Sequence, residues 1–197
     1  MRTALRPLPL LAMLLLGAAL PAWSADAPTV SHYGLDPAKS ALEFTFVQEG
    51  AQNKGQFKHF TVALDFAADN LAAGRLEVTI DMNSLDTGDQ ERDDTLRGAD
   101  LFAVKKFAQA RFSATQIVKT AAGYEAVGKL TIRDVTRDLR VPFSLRTAAE
   151  GGSNVGYMSG KTSIKRLDYG VGQGDWKATD QVPNDVTVSF ALRLVAH

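Results

Sequence analysis

A strict alternation of apolar and polar residues, repeated along most of the chain, most constrains the fold. Between Gly128 and Leu145 (GKLTIRDVTRDLRVPFSL), Leu130 and Ile132 fall on one face of a first strand, and Val141 and Phe143 on one face of a second. A period of two with one apolar face is typical of antiparallel strands that are buried on one side and wet on the other. The stretch therefore predicts an antiparallel hairpin.

The same alternation predicts eight strands in all. They fall at residues 42–46, 60–66, 76–82, 110–119, 123–132, 139–145, 154–165 and 186–194. Residues 89–98 (DQERDDTLRG) begin with acidic residues and end in Arg-Gly, a pattern typical of a short helix. The glycine-rich stretch 167–183 predicts a long irregular loop. Eight such strands can close into a barrel or form a two-sheet sandwich, so the chain is expected to be all-β.

The first 24 residues have the pattern of a secretory signal peptide, with a basic start, an apolar run from Leu8 to Leu20 and small residues at Ala22 and Ser24. We expect cleavage after Ser24, export to the periplasm and one domain over residues 25–197. That domain carries 20 basic and 22 acidic residues, a net charge of −2 (22 − 2 = 20 against 22). This balance does not predict nucleic-acid binding. The chain has no cysteine, which excludes disulfides and thiol chemistry.

No motif predicts a catalytic centre or a metal site. Asp86-Thr87-Gly88 matches the aspartic protease triplet, but that chemistry needs two carboxylates sharing a proton, and a turn is the preferred interpretation. The glycine-rich run 170–174 does not open a helix in a strand-helix-strand unit, so we expect a loop and not a phosphate site. The three histidines, His32, His59 and His197, lack the spacing of metal ligands.

Several ordered motifs resemble the YceI-like family of exported, lipocalin-like barrels that bind polyisoprenoid lipids. The resemblance extends over nearly all of residues 25–197. The stretches that carry it are Tyr33-Gly-Leu-Asp-Pro-Ala-Lys-Ser40, Gly55-Gln-Phe57, Asn83–Gly88, Arg92-Asp93 with Leu96 and Arg97, Phe102, Phe107, Ala110, Phe112, Gly128–Arg133 with Val135 and Thr136, and Lys165–Gly170.

The chain departs from the family pattern at three positions. Asp134 stands where the family usually has Gly, Asp138 where Pro is common, and Ala108 where Pro usually precedes the Phe112 strand. Asp tolerates a left-handed turn conformation better than most residues, so we expect the hairpin turn to form at Asp134.

The resemblance implies an eight-stranded antiparallel lipocalin-like β-barrel with one short helix and a long covering loop. It implies a carrier for a long polyisoprenoid lipid, with no cofactor and no enzymatic activity. The segment Gly170–Trp176 is similar to a branch of the family associated with membrane di-haem cytochromes of the b type. A polyprenyl quinone as ligand and such a cytochrome as partner are therefore expectations too. The state of assembly, monomer or homodimer, stays open.

The candidate lipid-binding residues are apolar side chains on the inner strand faces and at the mouth. An eight-stranded barrel holds either packed side chains or one small ligand, and periodicity alone does not choose between them. An interaction module with a filled core is the alternative function, and a hydrolase is a third. The expected wall residues are Phe44, Phe46, Phe60, Val78, Ile80, Phe112, Tyr124, Leu130, Phe143 and Phe190, and the expected mouth residues are Phe102, Phe107 and Trp176.

Overall fold

Eleven strands and one short helix make up residues 30–197, the part of the chain that the computed structural model describes. The expected signal peptide, residues 1–24, lies outside these residues. The elements are β1 (Ser31–Leu35), β2 (Ala41–Gln48), β3 (Ala51–Phe57), β4 (Phe60–Phe66), β5 (Arg75–Asp81), β6 (Leu85–Asp86), α1 (Gln90–Arg97), β7 (Gln109–Thr120), β8 (Gly123–Ile132), β9 (Val135–Glu150), β10 (Ser153–Lys165) and β11 (Asp185–Ala196).

Eight strands form a closed antiparallel ring in the order β1-β4-β5-β7-β8-β9-β10-β11. β1 closes it, because this strand pairs with β4 on one side and with β11 on the other. The expected eight-stranded barrel is confirmed, although its members differ from those predicted. β1 was not predicted, since its five residues (SHYGL) place a single fully buried apolar side chain, Tyr33, on the inner face.

The predicted strand β2 lies beside the ring and extends its wall at one end. β11 pairs with β1 through residues 194–196 and with β2 through residues 187–191, while β10 occupies its other edge. β1 and β2 therefore follow each other along the same edge of β11. β3 and β6 continue the sheet beyond β2.

Helix α1 is positioned by hydrogen bonds at its first turn. The Asp89 side chain caps the helix by accepting from the Arg92 backbone N–H at 3.0 Å. Asp93 is only 5% exposed, and its carboxylate accepts from the Thr87 backbone N–H at 2.8 Å and from the Thr87 hydroxyl at 2.7 Å. The helix is thereby tied to the end of β6.

The hairpin of β8 and β9 turns at Arg133 and Asp134, between the paired residues Ile132 and Val135. The left-handed residue is Arg133, with φ of +57°, and not Asp134 as expected. The physical reason lies in tertiary contacts that reward this strained conformation. The Arg133 guanidinium donates to the carbonyls of Ala99 at 3.2 Å, Gly170 at 3.0 Å and Leu101.

One end of the barrel is filled by its own side chains. Leu64 and Leu194 are completely buried there. The ring of Tyr124 stands edge-on to Phe66, with centroids 5.0 Å apart, and stacks on Phe143 at 5.6 Å. Such aromatic pairs add to the stability that burial alone supplies. We call this region the closed end, and it leaves the other end of the barrel for a cavity.

Candidate functional site

An apolar cavity of about 140 Å³ lies inside the barrel, and we call it the lumen. Its wall comes from inward-facing residues of β2 to β5 and β7 to β11, together with Met82 and Phe102 from the connections, and Thr162 is the one lining residue that is not hydrophobic. The alternation seen in the sequence explains this wall, because every second residue of a strand faces the same side. The lumen can therefore hold an apolar chain but offers it no polar anchor.

A second cavity of about 480 Å³ lies at the open end, and we call it the vestibule. Apolar and polar side chains share its lining, in contrast to the lumen. The β2–β3 hairpin, α1 and the loop after β10 surround it. The polar lining residues are Gln48, Glu49, Asn53, Asp89, Glu91, Arg92, Thr95 and Arg166.

The two cavities adjoin each other at a shared set of side chains, which we call the neck. It consists of the five residues that line both cavities, Phe44, Phe102, Ile132, Ile164 and Val186. All five side chains are apolar, so the boundary between vestibule and lumen presents no charge to a hydrocarbon chain. An apolar cavity of about 150 Å³ in another protein holds a benzene molecule. The lumen thus takes a short apolar segment, and a long chain must continue through the neck into the vestibule.

Arg166 holds the loop that covers the vestibule, residues 166–184, which we call the covering loop. The side chain is 5% exposed, and its guanidinium donates five hydrogen bonds to backbone carbonyls and none to a carboxylate. The acceptors, at 2.6 to 3.1 Å, belong to Val171, Trp176, Ala178, Val182 and Pro183. Burial lowers the pKa of this guanidinium.

The glycine-rich run forms part of this covering loop. Gly172 and Gln173 donate their backbone N–H groups to the Asp100 carbonyl at 2.9 and 2.8 Å, and so dock the loop on the connection between α1 and β7. A Cβ atom on Gly172, where φ is +124°, would collide with the Arg166 guanidinium. Gly172 therefore lets the backbone wrap around Arg166. Its backbone N–H forms a hydrogen bond within the protein and is not directed at a phosphate.

Asp86-Thr87-Gly88 likewise forms a structural turn. Asp86 accepts from Lys58 at 2.7 Å, from the Gly88 backbone N–H at 3.1 Å and from Gln56 at 3.3 Å. These partners, Lys58 foremost, lower the pKa of Asp86 to about 2. The Asp86 carboxylate is therefore ionised and hydrogen-bonded to donors. None of these partners is a second carboxylate that could share a proton with it, as the protease mechanism would need.

Charged side chains at the vestibule are mostly occupied by protein partners. Arg92 lies 3.4 Å from Asp89, and Arg166 has all its donors on carbonyls. The lining also includes the carboxylates of Glu49 and Glu91. A ligand group in the vestibule would therefore contact the amides, the hydroxyl and the carboxylates of the lining, rather than an arginine without a protein partner.

The structure brings most of the predicted lipid-binding residues to the two cavities. Phe46 and Trp176 line the vestibule, while Phe44 and Phe102 lie at the neck. The predicted residues that line the lumen alone are Phe60, Val78, Ile80, Phe112, Leu130 and Phe190. This placement leaves their role in lipid binding a prediction.

Three predicted residues lie elsewhere. Tyr124 and Phe143 belong to the closed end, where they stack on each other and Tyr124 also packs on Phe66. Phe107 packs against cations, with Lys106 Nζ 4.9 Å and the Arg133 guanidinium 5.4 Å from its ring centroid. Strand alternation identifies the inner face correctly but carries no information on height along the barrel, which separates the lumen from the closed end.

Sequence reasoning missed the polar residues of the vestibule and part of the lumen wall. Ile164 and Val186 lie on predicted strands at the neck, and their alternation could have indicated them. Gln48 and Asn53 lie in the β2–β3 hairpin, at the end of β2 and within β3. The β3 sequence (AQNKGQF) is too polar to show an alternation of apolar and polar residues. Within residues 30–197, acidic and histidine side chains do not gather into groups of three that could hold a metal ion. No helix of this part of the chain has the length and hydropathy to cross a membrane.

Comparison with known proteins identifies relatives of this barrel. The model of the family described as the YceI-like domain matches residues 33–194. A UPF0312 protein of Yersinia enterocolitica is 37% identical over 123 residues, which are 59% of this chain and 62% of that protein. The alignment thus covers less than two thirds of that relative's own length.

Solved structures share the architecture. The crystal structure of Burkholderia cenocepacia BcnA is 34% identical, with a TM-score of 0.72, and the match covers 83% of this chain and 99% of that one. A polyisoprenoid binding domain from Saccharophagus degradans, implicated in plant cell wall breakdown, is 18% identical, with a TM-score of 0.63. That match covers 86% of this chain and 100% of that one. At this identity, the second likeness concerns the fold alone.

Proposed function

The chain belongs to the YceI-like family, and on that premise we propose that it is a periplasmic carrier of a long-chain polyisoprenoid lipid. The observation that carries the proposal is the lumen, which is apolar and shares an apolar boundary, the neck, with a partly polar vestibule. The end of the hydrocarbon chain lies in the lumen, and the chain continues through the neck. Its headgroup lies at the polar side chains of the vestibule.

Polyisoprenoid as the ligand class rests on family and fold. The Saccharophagus degradans domain that shares this fold is a polyisoprenoid binding domain. We propose that the protein binds its ligand and does not catalyse a reaction. The family of the chain supports this, and so do the hydrogen bonds and the ion pair that occupy the Asp86 carboxylate. The lumen supplies apolar burial, which suits a hydrocarbon of this kind.

The energetics favour exchange over tight trapping. A chain of about forty carbons at about 0.8 kcal/mol per buried CH₂ has a gross burial free energy near 30 kcal/mol relative to water, far above the range of real affinities. The ligand's alternative location is a bilayer, which is as apolar as the lumen. Packing and headgroup contacts therefore set the small net preference, as a carrier that loads from and unloads to membranes requires.

An uncharged headgroup fits the vestibule better than a phosphate. Arg92 and Arg166 already have protein partners, and the carboxylates of Glu49 and Glu91 repel an anion. The amides of Gln48 and Asn53 can exchange hydrogen bonds with a neutral oxygen. We therefore include a polyprenyl quinone in the proposal as the preferred ligand.

A membrane di-haem cytochrome of the b type is the partner that a quinone carrier of this branch would serve. This part of the proposal rests on the resemblance of segment 170–176, which belongs to the covering loop. Co-purification of the full chain with such a cytochrome would support it. Failure to associate in detergent and in vesicles would remove the partner while leaving lipid binding intact.

The lipid proposal is tested by identifying what the protein carries. The protein is purified without detergent, extracted with organic solvent and analysed by mass spectrometry, and the delipidated protein is then titrated with fluorescent octaprenol. We expect a polyprenyl lipid in the extract and saturable uptake of the probe. Absence of lipid in repeated preparations, together with no uptake, would overturn the proposal and favour an interaction module.

A further inference from the structure

Phe44 lies at the boundary between the lumen and the vestibule. It lines both cavities and is one of the five residues of the neck. Its cross-strand partner, directly opposite on β3, is Gly55. The Phe44 ring lies over the Gly55 backbone, in the space that a side chain at position 55 would fill.

A side chain at position 55 would displace this ring. A Cβ atom built on Gly55 would lie 2.7 and 2.9 Å from Cε1 and Cε2 of Phe44 and closer still to Cζ. Separations below 3.0 Å are not tolerated, and the three nearest atoms all belong to the far edge of the Phe44 ring, which can rotate. The Gly55 backbone itself would thus accept alanine once the ring moved.

The ring has little freedom to move along the wall. Phe57 lies on one side, with ring centroids 5.1 Å apart, and Phe46 stacks on Phe44 with centroids 6.0 Å apart. Displaced from Gly55, the Phe44 ring would therefore swing away from the wall and into the neck. The absent side chain of Gly55 provides the recess that holds the ring clear of the path.

We propose that Gly55 is a positioning residue for ligand selectivity: its recess holds the Phe44 ring against the wall and keeps the neck wide enough for a methyl-branched isoprenoid chain. This inference rests on the proposed function of the lumen and adds a selectivity determinant to it. Methyl branches widen a hydrocarbon, so a narrowed neck penalises a polyprenyl chain more than a straight one.

A second glycine shows why Gly55 is the informative position. Gly160 also lies under a phenylalanine ring, that of its cross-strand partner Phe190. A Cβ on Gly160, however, would also collide with the backbone carbonyl of Pro142 on β9. Gly160 is thus required by the sheet itself, whereas the Gly55 contacts involve a single movable ring.

The test compares Gly55→Ala, Phe44→Leu and the double variant with the unaltered protein. Dissociation constants are measured for fluorescent octaprenol and for a straight-chain fatty alcohol of similar length carrying the same label. We expect Gly55→Ala to weaken octaprenol binding about tenfold and fatty alcohol binding much less. The shorter leucine no longer reaches the recess, so adding Phe44→Leu should restore octaprenol binding.

Gly34→Ala is the matched control, because a Cβ there would lie at an ordinary 3.5 Å from the His197 ring. This variant should bind both probes normally, and circular dichroism melting should show all variants folded. Equal octaprenol binding by Gly55→Ala and the unaltered protein would overturn the inference, as would a loss that Phe44→Leu fails to rescue. If the unaltered protein binds neither probe, the proposed function itself fails.

Discussion

At the scale of single residues, the buried Arg166 has a structural role that composition does not reveal. Arg166 satisfies five carbonyls of the covering loop, which would otherwise lack donors within a tight loop. An unsatisfied buried acceptor costs about 1–3 kcal/mol, and lysine has neither the planar fork nor the number of donors to replace arginine. One side chain therefore makes five of the hydrogen bonds that hold a loop whose regular structure is limited to two short 3-10 turns.

Asp86 predicts a pH dependence of stability. Its pKa is about 2 in the folded protein, below the ordinary 3.8, chiefly because Lys58 donates to it. A lowered pKa contributes stability that is fully present above the unfolded value and is lost as pH falls toward 2. The free energy of unfolding is measured by urea titration for the unaltered protein and for Asp86→Asn over a range of pH. We expect the two values to differ most above pH 4 and to converge near pH 2.

Lys58→Met provides the matched control for this prediction. Without the main hydrogen-bond donor, the Asp86 pKa should rise toward its ordinary value, and the convergence should shift to higher pH. The prediction assigns the pH dependence to titration of the Asp86 carboxylate. It would be wrong if the free energies of unfolding of the unaltered protein and of Asp86→Asn differed by the same amount from pH 5 to pH 2.

At the scale of elements, the β8–β9 turn joins the barrel to the parts that cover it. Arg133 adopts a positive φ and donates to carbonyls of the α1–β7 connection and of the covering loop. The hairpin thus contributes to the mouth as well as to the wall. The positive φ of Arg133 destabilises the turn, whereas its side-chain hydrogen bonds stabilise the covering segments. A substitution at this position can measure the two effects separately.

Arg133→Gly is expected to keep the hairpin but loosen the cover. Glycine suits the left-handed conformation, so the turn gains about 1 kcal/mol locally. Loss of the guanidinium frees the carbonyls of Ala99, Leu101 and Gly170. Hydrogen exchange measured by mass spectrometry should therefore rise in residues 98–108 and 166–184 but not in β8 and β9.

Arg140→Lys is a suitable control, since Arg140 lies on β9, the strand that follows the turn, with an exposed side chain paired to Glu125. Exposed ion pairs contribute little, so its exchange pattern should match that of the unaltered protein. Unchanged exchange of the covering segments in Arg133→Gly would show that other contacts hold them.

At the scale of the whole molecule, the barrel divides into a packed closed end and an open lumen. The closed end supplies cohesion through Tyr33, Leu64 and the aromatic cluster around Tyr124. The lumen wall belongs to the same core but borders a cavity of about 140 Å³. Stability and binding are thus assigned to different ends, and a change in the lumen can alter binding without unfolding the protein.

Val78→Trp should fill the lumen and block uptake. Val78 is a partly buried wall residue on β5, and an indole there occupies space that the ligand needs. Overpacking costs about 1–3 kcal/mol, which the closed end can absorb. We expect a folded protein whose affinity for fluorescent octaprenol falls more than about tenfold.

Thr61→Trp is the control, because Thr61 lies on the neighbouring strand β4 with an exposed side chain. It adds the same aromatic group outside the barrel and should bind octaprenol normally. Normal uptake by Val78→Trp would place the ligand outside the lumen.

Strand alternation in the sequence determined the all-β class and the inward set of side chains, because side-chain direction along a strand has a period of two. Val141 and Phe143 accordingly share one face of β9. The tertiary structure alone decided that Val141 lines the lumen and Phe143 fills the closed end. Height along the barrel depends on the tilt and stagger of all the strands, which the closure through β1 sets by pairing residues far apart in the chain.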